Sequence, residues 1–151
     1  KRHGFGHHIV EGGGDTYVSG TKDGKTWMVG IQNPEGPGSI GALPVQDQAV
    51  VTSGNYQRFF EFEGKRYAHI LDPRTGWPVA RESSARSVTV VAANATDADA
   101  MCTAVAVMGP KDGMAFVEAH PEIEAVILPP VGEAMVSTGL QGVYKPLPAV
   151  E

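Results

Sequence analysis

Only one cysteine, Cys102, occurs in the 151 residues. That excludes an intramolecular disulfide framework and a cysteine-only metal site. No run approaches the roughly 20 apolar residues that cross a bilayer as a helix. Basic residues are scarce: 12 Lys and Arg stand against 17 Asp and Glu, a net charge of −5. Such a chain lacks the basic stripe that holds a phosphate backbone, so nucleic acid is not an expected partner. The opening residues Lys1-Arg2-His3-Gly4-Phe5-Gly6-His7-His8 contain no apolar core, so no leader peptide is legible in them. Internal repeats and low-complexity linkers are absent too.

What is present is glycine, 19 residues, or about 13% against an average usage of about 7%. With 11 prolines, this favours tight turns between short strands. Hydrophobic residues at 42% and charged residues at 19% are an ordinary globular balance, and the length fits one domain. Residues 1–8 read as a flexible N-terminal segment, 9–140 as the domain and 141–151 as a Pro-rich tail.

Strand signals come early and densely. Residues 8–11 and 16–19 flank Gly12-Gly13-Gly14-Asp15, and Lys22-Asp23-Gly24-Lys25 carries the Asp-Gly signal of a hairpin. Residues 26–31 form a further strand, residues 34–38 a loop, and 39–45 and 48–52 two more strands. Residues 57–62 and 65–71 flank Glu63-Gly64, a second hairpin. Asp72-Pro73-Arg74-Thr75-Gly76 has turn chemistry, with Asp first and Pro second. Residues 88–92 (VTVVA) read as a buried strand.

The period then changes. Residues 97–108 read as a helix with Thr96 as its cap and Gly109 as its stop, and residues 111–120 as a second helix ended by Pro121. Residues 125–128 and 134–136 return to strand. Antiparallel strands followed by two helices define an α+β layer, a mostly antiparallel sheet of short strands backed by two helices.

The first helix is apolar nearly all round, which predicts burial. Asp99 and Thr103 break the pattern and, four apart, share a face. Two accounts fit. Asp99 completes a capping box with Thr96 and Thr103 bonds its own helix's carbonyl. Alternatively, carboxylate and hydroxyl oxygens one turn apart share an Mg²⁺ whose other ligands are waters and phosphate oxygens. The Gly12-Gly13-Gly14-Asp15 turn lacks a phosphate-loop pattern and no helix follows it, so it reads as a close backbone approach. Ser53, in Thr52-Ser53-Gly54, is not in a nucleophile elbow. His69 alternates with Tyr67 and Leu71 on one strand face, and both a structural and a catalytic role fit it. Cys102 reads as a small buried hydrophobe rather than a reactive thiol.

Taken in order, these segments resemble a family. They are Glu11-Gly12-Gly13-Gly14-Asp15, Trp27-Met28-Val29-Gly30-Ile31-Gln32-Asn33-Pro34, Thr52-Ser53-Gly54-Asn55-Tyr56, His69-Ile70-Leu71-Asp72-Pro73-Arg74-Thr75-Gly76, Ser87-Val88-Thr89-Val90-Val91, Ala98-Asp99-Ala100-Met101-Cys102-Thr103-Ala104 and Ser137-Thr138-Gly139. From Ile9 to Gly139 the chain is similar to the C-terminal half of ApbE-type FAD:protein FMN transferases. The resemblance implies a bacterial, Mg²⁺-dependent enzyme that cleaves FAD and attaches FMN through a phosphoester to a Ser or Thr of a target flavoprotein, releasing AMP. Typical targets are subunits of membrane redox complexes such as the sodium-pumping NADH:quinone reductase and the Rnf complex. A periplasm-facing or lipoprotein location follows from the same resemblance. By position, Asp99 and Thr103 match the family's metal-binding side chains and Asp99 also belongs to its cofactor site. His69 and Ile70 match its FAD-contacting segment, Ile70 through its backbone, and His69 its proton-transfer residue. The family's upstream half carries an Ala-Lys-Gly-containing motif, and no Lys-Gly pair occurs here, so a second chain or N-terminal half is implied to complete the site. An Mg²⁺-dependent FAD pyrophosphatase and a non-catalytic flavin-binding module use the same residues and stay open.

Overall fold

The computed structural model describes residues 3–56, 58–80 and 83–148. In chain order the elements are β1 (His8–Gly12), β2 (Asp15–Ser19), β3 (Trp27–Gln32), β4 (Ser39–Val45), β5 (Gln48–Gly54), β6 (Phe59–Phe62), β7 (Lys65–Ala68), β8 (Ser87–Ala92), α1 (Ala95–Met108), α2 (Pro110–Glu118), β9 (Ile123–Leu128), β10 (Met135–Val136) and β11 (Lys145–Pro146). The expected α+β class is what forms. Gln57, placed by the sequence at the start of the sixth strand, lies outside the described residues, as do residues 1–2 and 149–151 of the two expected terminal segments.

The central sheet has six strands in the order β1-β2-β5-β8-β9-β10, all antiparallel to their neighbours. Side chains alternate between its faces. Ala49, Val51, Val88, Val90, Ala125 and Ile127 join Ala98, Cys102 and Val105 of α1 in one buried cluster. Val18, Val50, Val91 and Val126 belong to a second cluster with Ile31, Leu43 and Val45. This second cluster is a layer the sequence did not announce: β11, β4 and β3 form a three-stranded sheet on the face opposite the helices. β8 is therefore buried along its whole length, because both its faces are covered. Lys145 and Pro146 pair with Ala42 and Gly41 at the edge of that small sheet.

Local turn chemistry forms as its residues dictate. Asp23 and Gly24 take φ of 50° and 76°, and Glu63 and Gly64 take 49° and 72°, the paired left-handed conformations of a type I′ hairpin turn. α2 packs so tightly on α1 that a Cβ on Gly113 would stand 2.8 Å from Val105 Cγ1 and 3.0 Å from its carbonyl oxygen.

Two expectations about α1 are corrected. Its cap is Asn94, not Thr96. Asn94 Oδ1 accepts from the Asp97 N–H at 2.9 Å, and Asn94 Nδ2 donates to Asp97 Oδ2 at 2.7 Å. The sequence Asn94-Ala95-Thr96-Asp97-Ala98-Asp99 offers two cap frames two residues apart, and helix formation from Ala95 selects the earlier. Nor is α1 buried all round: Ala98, Cys102, Val105 and Ala106 are buried, while Ala100 and Met108 join Asp99 and Thr103 on the exposed side. One face of the helix suffices to cover β5 and β8.

The strand placed at residues 65–71 is also shorter than expected. β7 ends at Ala68. Beyond His69 the chain leaves β6: the Val79 N–H donates to the Ile70 carbonyl at 3.0 Å and the Asp72 N–H to the Trp77 carbonyl at 2.8 Å, with Leu71 bridged to Pro78. His69 thus sits at a switch between two pairings, not on a continuous strand face with Leu71.

Candidate active site

The solvent-open edge of α1 where it meets the sheet, near its N-terminus, gathers the polar groups. Asp99 and Thr103 are one turn apart and exposed. With Asn94 and Asp97 supplying the cap, Asp99 has no capping duty, and the bland account of its carboxylate falls away.

Two residues from the sheet join them, and neither was singled out for this chemistry by the sequence. Ser53 follows Ala49 and Val51 on the face of β5 that meets α1. Its Oγ lies 3.3 Å from Thr103 Oγ1 and 2.8 Å from Cys102 Sγ. Asp15 opens β2, the neighbour of β5. Partial burial raises its carboxyl above the usual carboxylate range, and the negative charge of Asp99 raises it further. The signal that could have found both is their period-2 placement: Ser53 with Val51, and Asp15 with Tyr17, point toward the helix layer.

Cys102 lies underneath. Burial is the main cause that pushes its thiol up to about 11, helped by the charges of Asp99 and Asp15 against the lowering effect of its Ser53 and Thr103 hydrogen bonds. Its Sγ donates to the Asp99 carbonyl at 3.4 Å. At neutral pH it is a protonated, packed side chain.

Among the described residues no three His, Cys, Asp or Glu side chains cluster as a metal centre. The donors gathered here are instead two repelling carboxylates and hydroxyl oxygens. That set suits a hard cation, which takes oxygen ligands and, as Mg²⁺, is held by one or two carboxylates while keeping water and phosphate oxygens.

His69 and Ile70 form a second group. No hydrogen bond or ion pair joins His69 to Asp99 or Thr103 among the described residues. The link is through the core: the buried Ile70 side chain belongs to the same cluster as Val51, Cys102 and Val105. The His69 N–H donates to the Arg58 carbonyl at 3.1 Å, and His69 Nδ1 lies 3.0 Å from the same oxygen. A carbonyl oxygen only accepts, so Nδ1 carries a proton, and in the neutral ring Nε2 is the nitrogen with the lone pair. Ala68, the preceding residue, lines a small pocket together with Asn55, Tyr56 and Val79. The loop beyond is locally braced, because Asp72 Oδ2 accepts from Arg74 Nη2 at 2.8 Å and Asp72 Oδ1 accepts from the Arg74 N–H at 2.9 Å.

A helix-backed antiparallel sheet with oxygen donors gathered where α1 meets β5 defines an α+β protein with a candidate cation-and-phosphate site. Comparison with known proteins agrees with that fold and supplies the family. A family model described as the ApbE family matches residues 1–127, and the chain belongs to that family. It is 38% identical over 149 residues to the FAD:protein FMN transferase of Treponema pallidum, covering 91% of this chain and 41% of that protein. It is 33% identical over 141 residues to a Klebsiella pneumoniae FAD:protein FMN transferase, covering 92% of this chain and 42% of that protein. The crystal structure of the ApbE protein of Thermotoga maritima superposes with a TM-score of 0.80 at 37% identity, over 91% of this chain and 44% of that one. The flavin transferase ApbE of Vibrio cholerae superposes at 0.77 with 30% identity. The chain thus spans under half the length of these relatives.

Proposed function

We propose that this chain carries the metal-binding and proton-transfer part of an FAD:protein FMN transferase, working with a companion segment, in the same chain or another, that supplies the rest of the FAD site. The observation that carries this reading is the field shared by Asp15 and Asp99 beside the Thr103 and Ser53 hydroxyls, in a chain similar to proteins of that name.

Asp99 and Thr103 would hold Mg²⁺, with Asp15 facing the same charge. When bound, that ion would neutralise the pyrophosphate of FAD and template in-line displacement. The protein's own groups supply the rest. The oxygen of an acceptor Ser or Thr attacks the FMN phosphorus of FAD. The bond from that phosphorus to the bridging oxygen breaks, and AMP leaves with that oxygen. His69 Nε2, its lone pair free, takes the hydroxyl proton. The Ile70 carbonyl is engaged by Val79, so its N–H is the backbone group available to FAD. The acceptor is a flavoprotein subunit of a membrane redox complex of the sodium-pumping NADH:quinone reductase or Rnf kind, on the periplasmic side of a bacterial membrane.

The experiment is to incubate the protein with FAD, Mg²⁺ and such an acceptor subunit, following AMP and the acceptor's flavin fluorescence after denaturation. AMP formed in step with covalently flavinylated acceptor supports transfer. AMP formed equally without acceptor supports hydrolysis of FAD instead, and FAD binding without AMP supports a non-catalytic flavin module.

A further inference from the structure

Thr103 is not held as a helical threonine usually is. Such a side chain turns its hydroxyl to a carbonyl three or four residues back in its own helix. Among the described residues, the Thr103 hydroxyl instead bonds across to the sheet, with Oγ1 3.3 Å from Ser53 Oγ. Ser53 Oγ in turn lies 2.8 Å from Cys102 Sγ, and Cys102 Sγ lies 3.4 Å from the Asp99 carbonyl oxygen. A relay of hydrogen bonds therefore joins Thr103 to Asp99, the two residues read as cation ligands.

The relay runs in one direction. A carbonyl oxygen only accepts and a thiol has one hydrogen, so that hydrogen goes to Asp99. The sulfur is then the acceptor for Ser53, and the single hydroxyl hydrogen of Ser53 is used there. Toward Thr103, Ser53 Oγ has only a lone pair left, so Thr103 Oγ1–H is the donor. The Thr103 hydrogen is thereby aimed into the sheet. Its remaining lone pair is left for the open side of the helix, where Asp99 stands. A hard cation is held by oxygen lone pairs, so this is the orientation that a ligating threonine needs.

The acceptor is as firmly placed as the direction. Ser53 belongs to β5, which has β2 and β8 on its two sides, and it pairs with Val88, which is completely buried. Gly54, next in the strand, has Tyr56 close against it: a Cβ there would stand 2.2 Å from Tyr56 Cε1. Cys102, which takes the Ser53 hydrogen, is completely buried as well. We propose that Ser53 is a positioning residue for the metal, accepting the hydrogen bond of Thr103 and so presenting the Thr103 oxygen, rather than its hydrogen, to the Mg²⁺ held with Asp99. It acts through Thr103 and not on the ion itself. This inference rests on the metal-binding part of the reading above. Partners of this kind, one step behind the ligands, are worth about 10–100-fold in metal affinity.

The test is a calorimetric titration of Mg²⁺ into the metal-free protein at its full natural length, which needs no catalysis. Ser53 is only half-buried, so Ser53→Ala removes one hydroxyl without emptying the core. The expected result is a Kd for Mg²⁺ raised about tenfold or more in Ser53→Ala. Ser53→Thr, which keeps the hydroxyl on a residue that suits a strand, should restore tight binding. Thr103→Val removes the hydroxyl that Ser53 acts through, and in that background Ser53→Ala should change the Kd no further. Mg²⁺ bound by Ser53→Ala as tightly as by the wild-type protein overturns the proposal. So does a loss of the same factor with and without the Thr103 hydroxyl, the mark of a residue that only packs helix on sheet or that touches the ion directly. Ser53→Thr binding no better than Ser53→Ala overturns it too. Failure of the metal reading looks different: the wild-type protein then takes up no Mg²⁺, and the inference falls with that reading.

Discussion

Asp15, at the start of β2, and Asp99, in the first turns of α1, act on each other across the junction of sheet and helix: the charge of Asp99 helps hold the Asp15 carboxyl above its ordinary value. Two like charges kept close in a folded protein cost stability unless something offsets them. The folded chain keeps this pair beside two hydroxyls, a cost that a cation bound there would remove.

A pH dependence follows from the direction of that shift. A carboxyl whose folded pKa is raised binds its proton more readily folded than unfolded, so its contribution to stability falls as pH rises through the raised value. The penalty is complete at neutral pH and absent below the ordinary value of 3.8. Asp15→Asn should therefore raise the Tm of the metal-free protein at pH 7 by about 1–2 °C, a modest gain because the site is open to solvent. Calorimetry at pH 7 and again below the ordinary carboxyl value checks it. The gain should vanish at the lower pH, and Mg²⁺ should raise the Tm of the wild-type protein more than that of the variant.

The helix cap gives a prediction that separates two neighbouring residues. Asn94→Ala removes the bond to the Asp97 N–H and should cost about 1 kcal/mol, a fall in Tm of roughly 2–4 °C for a domain of this size. Thr96→Ala should stay within about 0.5 kcal/mol. Thermal unfolding of the two variants ranks them, and the reverse order would contradict the Asn94 frame.

Cys102 should be chemically silent. With its thiol pushed up to about 11 by burial, almost none is thiolate at neutral pH, and the thiolate is the reactive form. Iodoacetamide at pH 7.5 should leave the native protein unlabelled and label it quantitatively once denatured, as read by mass. Labelling of the native chain at the rate of a free thiol would contradict the packed position.

What the sequence made legible was mainly local. Asp23-Gly24 and Glu63-Gly64 dictate their own turns through φ, and residues 72–76 carry their own bracing bonds. Asp99 and Thr103 could be paired in advance because helical spacing alone sets them one turn apart. Asn94 could not be separated from Thr96, since both frames satisfy the same capping pattern and the helix start decides between them. Asp15 and Ser53 were harder, because the interaction of Asp15 with Asp99 and the contact of Ser53 with Thr103 depend on β2 lying beside β5 under α1, a matter of strand order rather than of neighbouring residues. The second sheet was hidden for the same reason: residues 39–45 read as a strand without saying which sheet it joins. His69 read as a strand residue because the switch of pairing at Ile70 depends on Val79 and Pro78 beyond the turn.

The central claim is that Asp99 and His69 belong to one metal-assisted flavin-transfer site. It is tested most directly by the intact mass of the acceptor subunit after incubation with FAD, Mg²⁺ and, in turn, the wild-type, Asp99→Ala and His69→Ala proteins at full natural length. The account predicts that the wild-type protein adds one FMN to the acceptor and that a chelator abolishes the addition. It predicts a rate at least about 10²-fold lower in each variant, with Asp99→Ala no longer responding to Mg²⁺. An acceptor flavinylated by Asp99→Ala at the wild-type rate and with the wild-type Mg²⁺ dependence would contradict it.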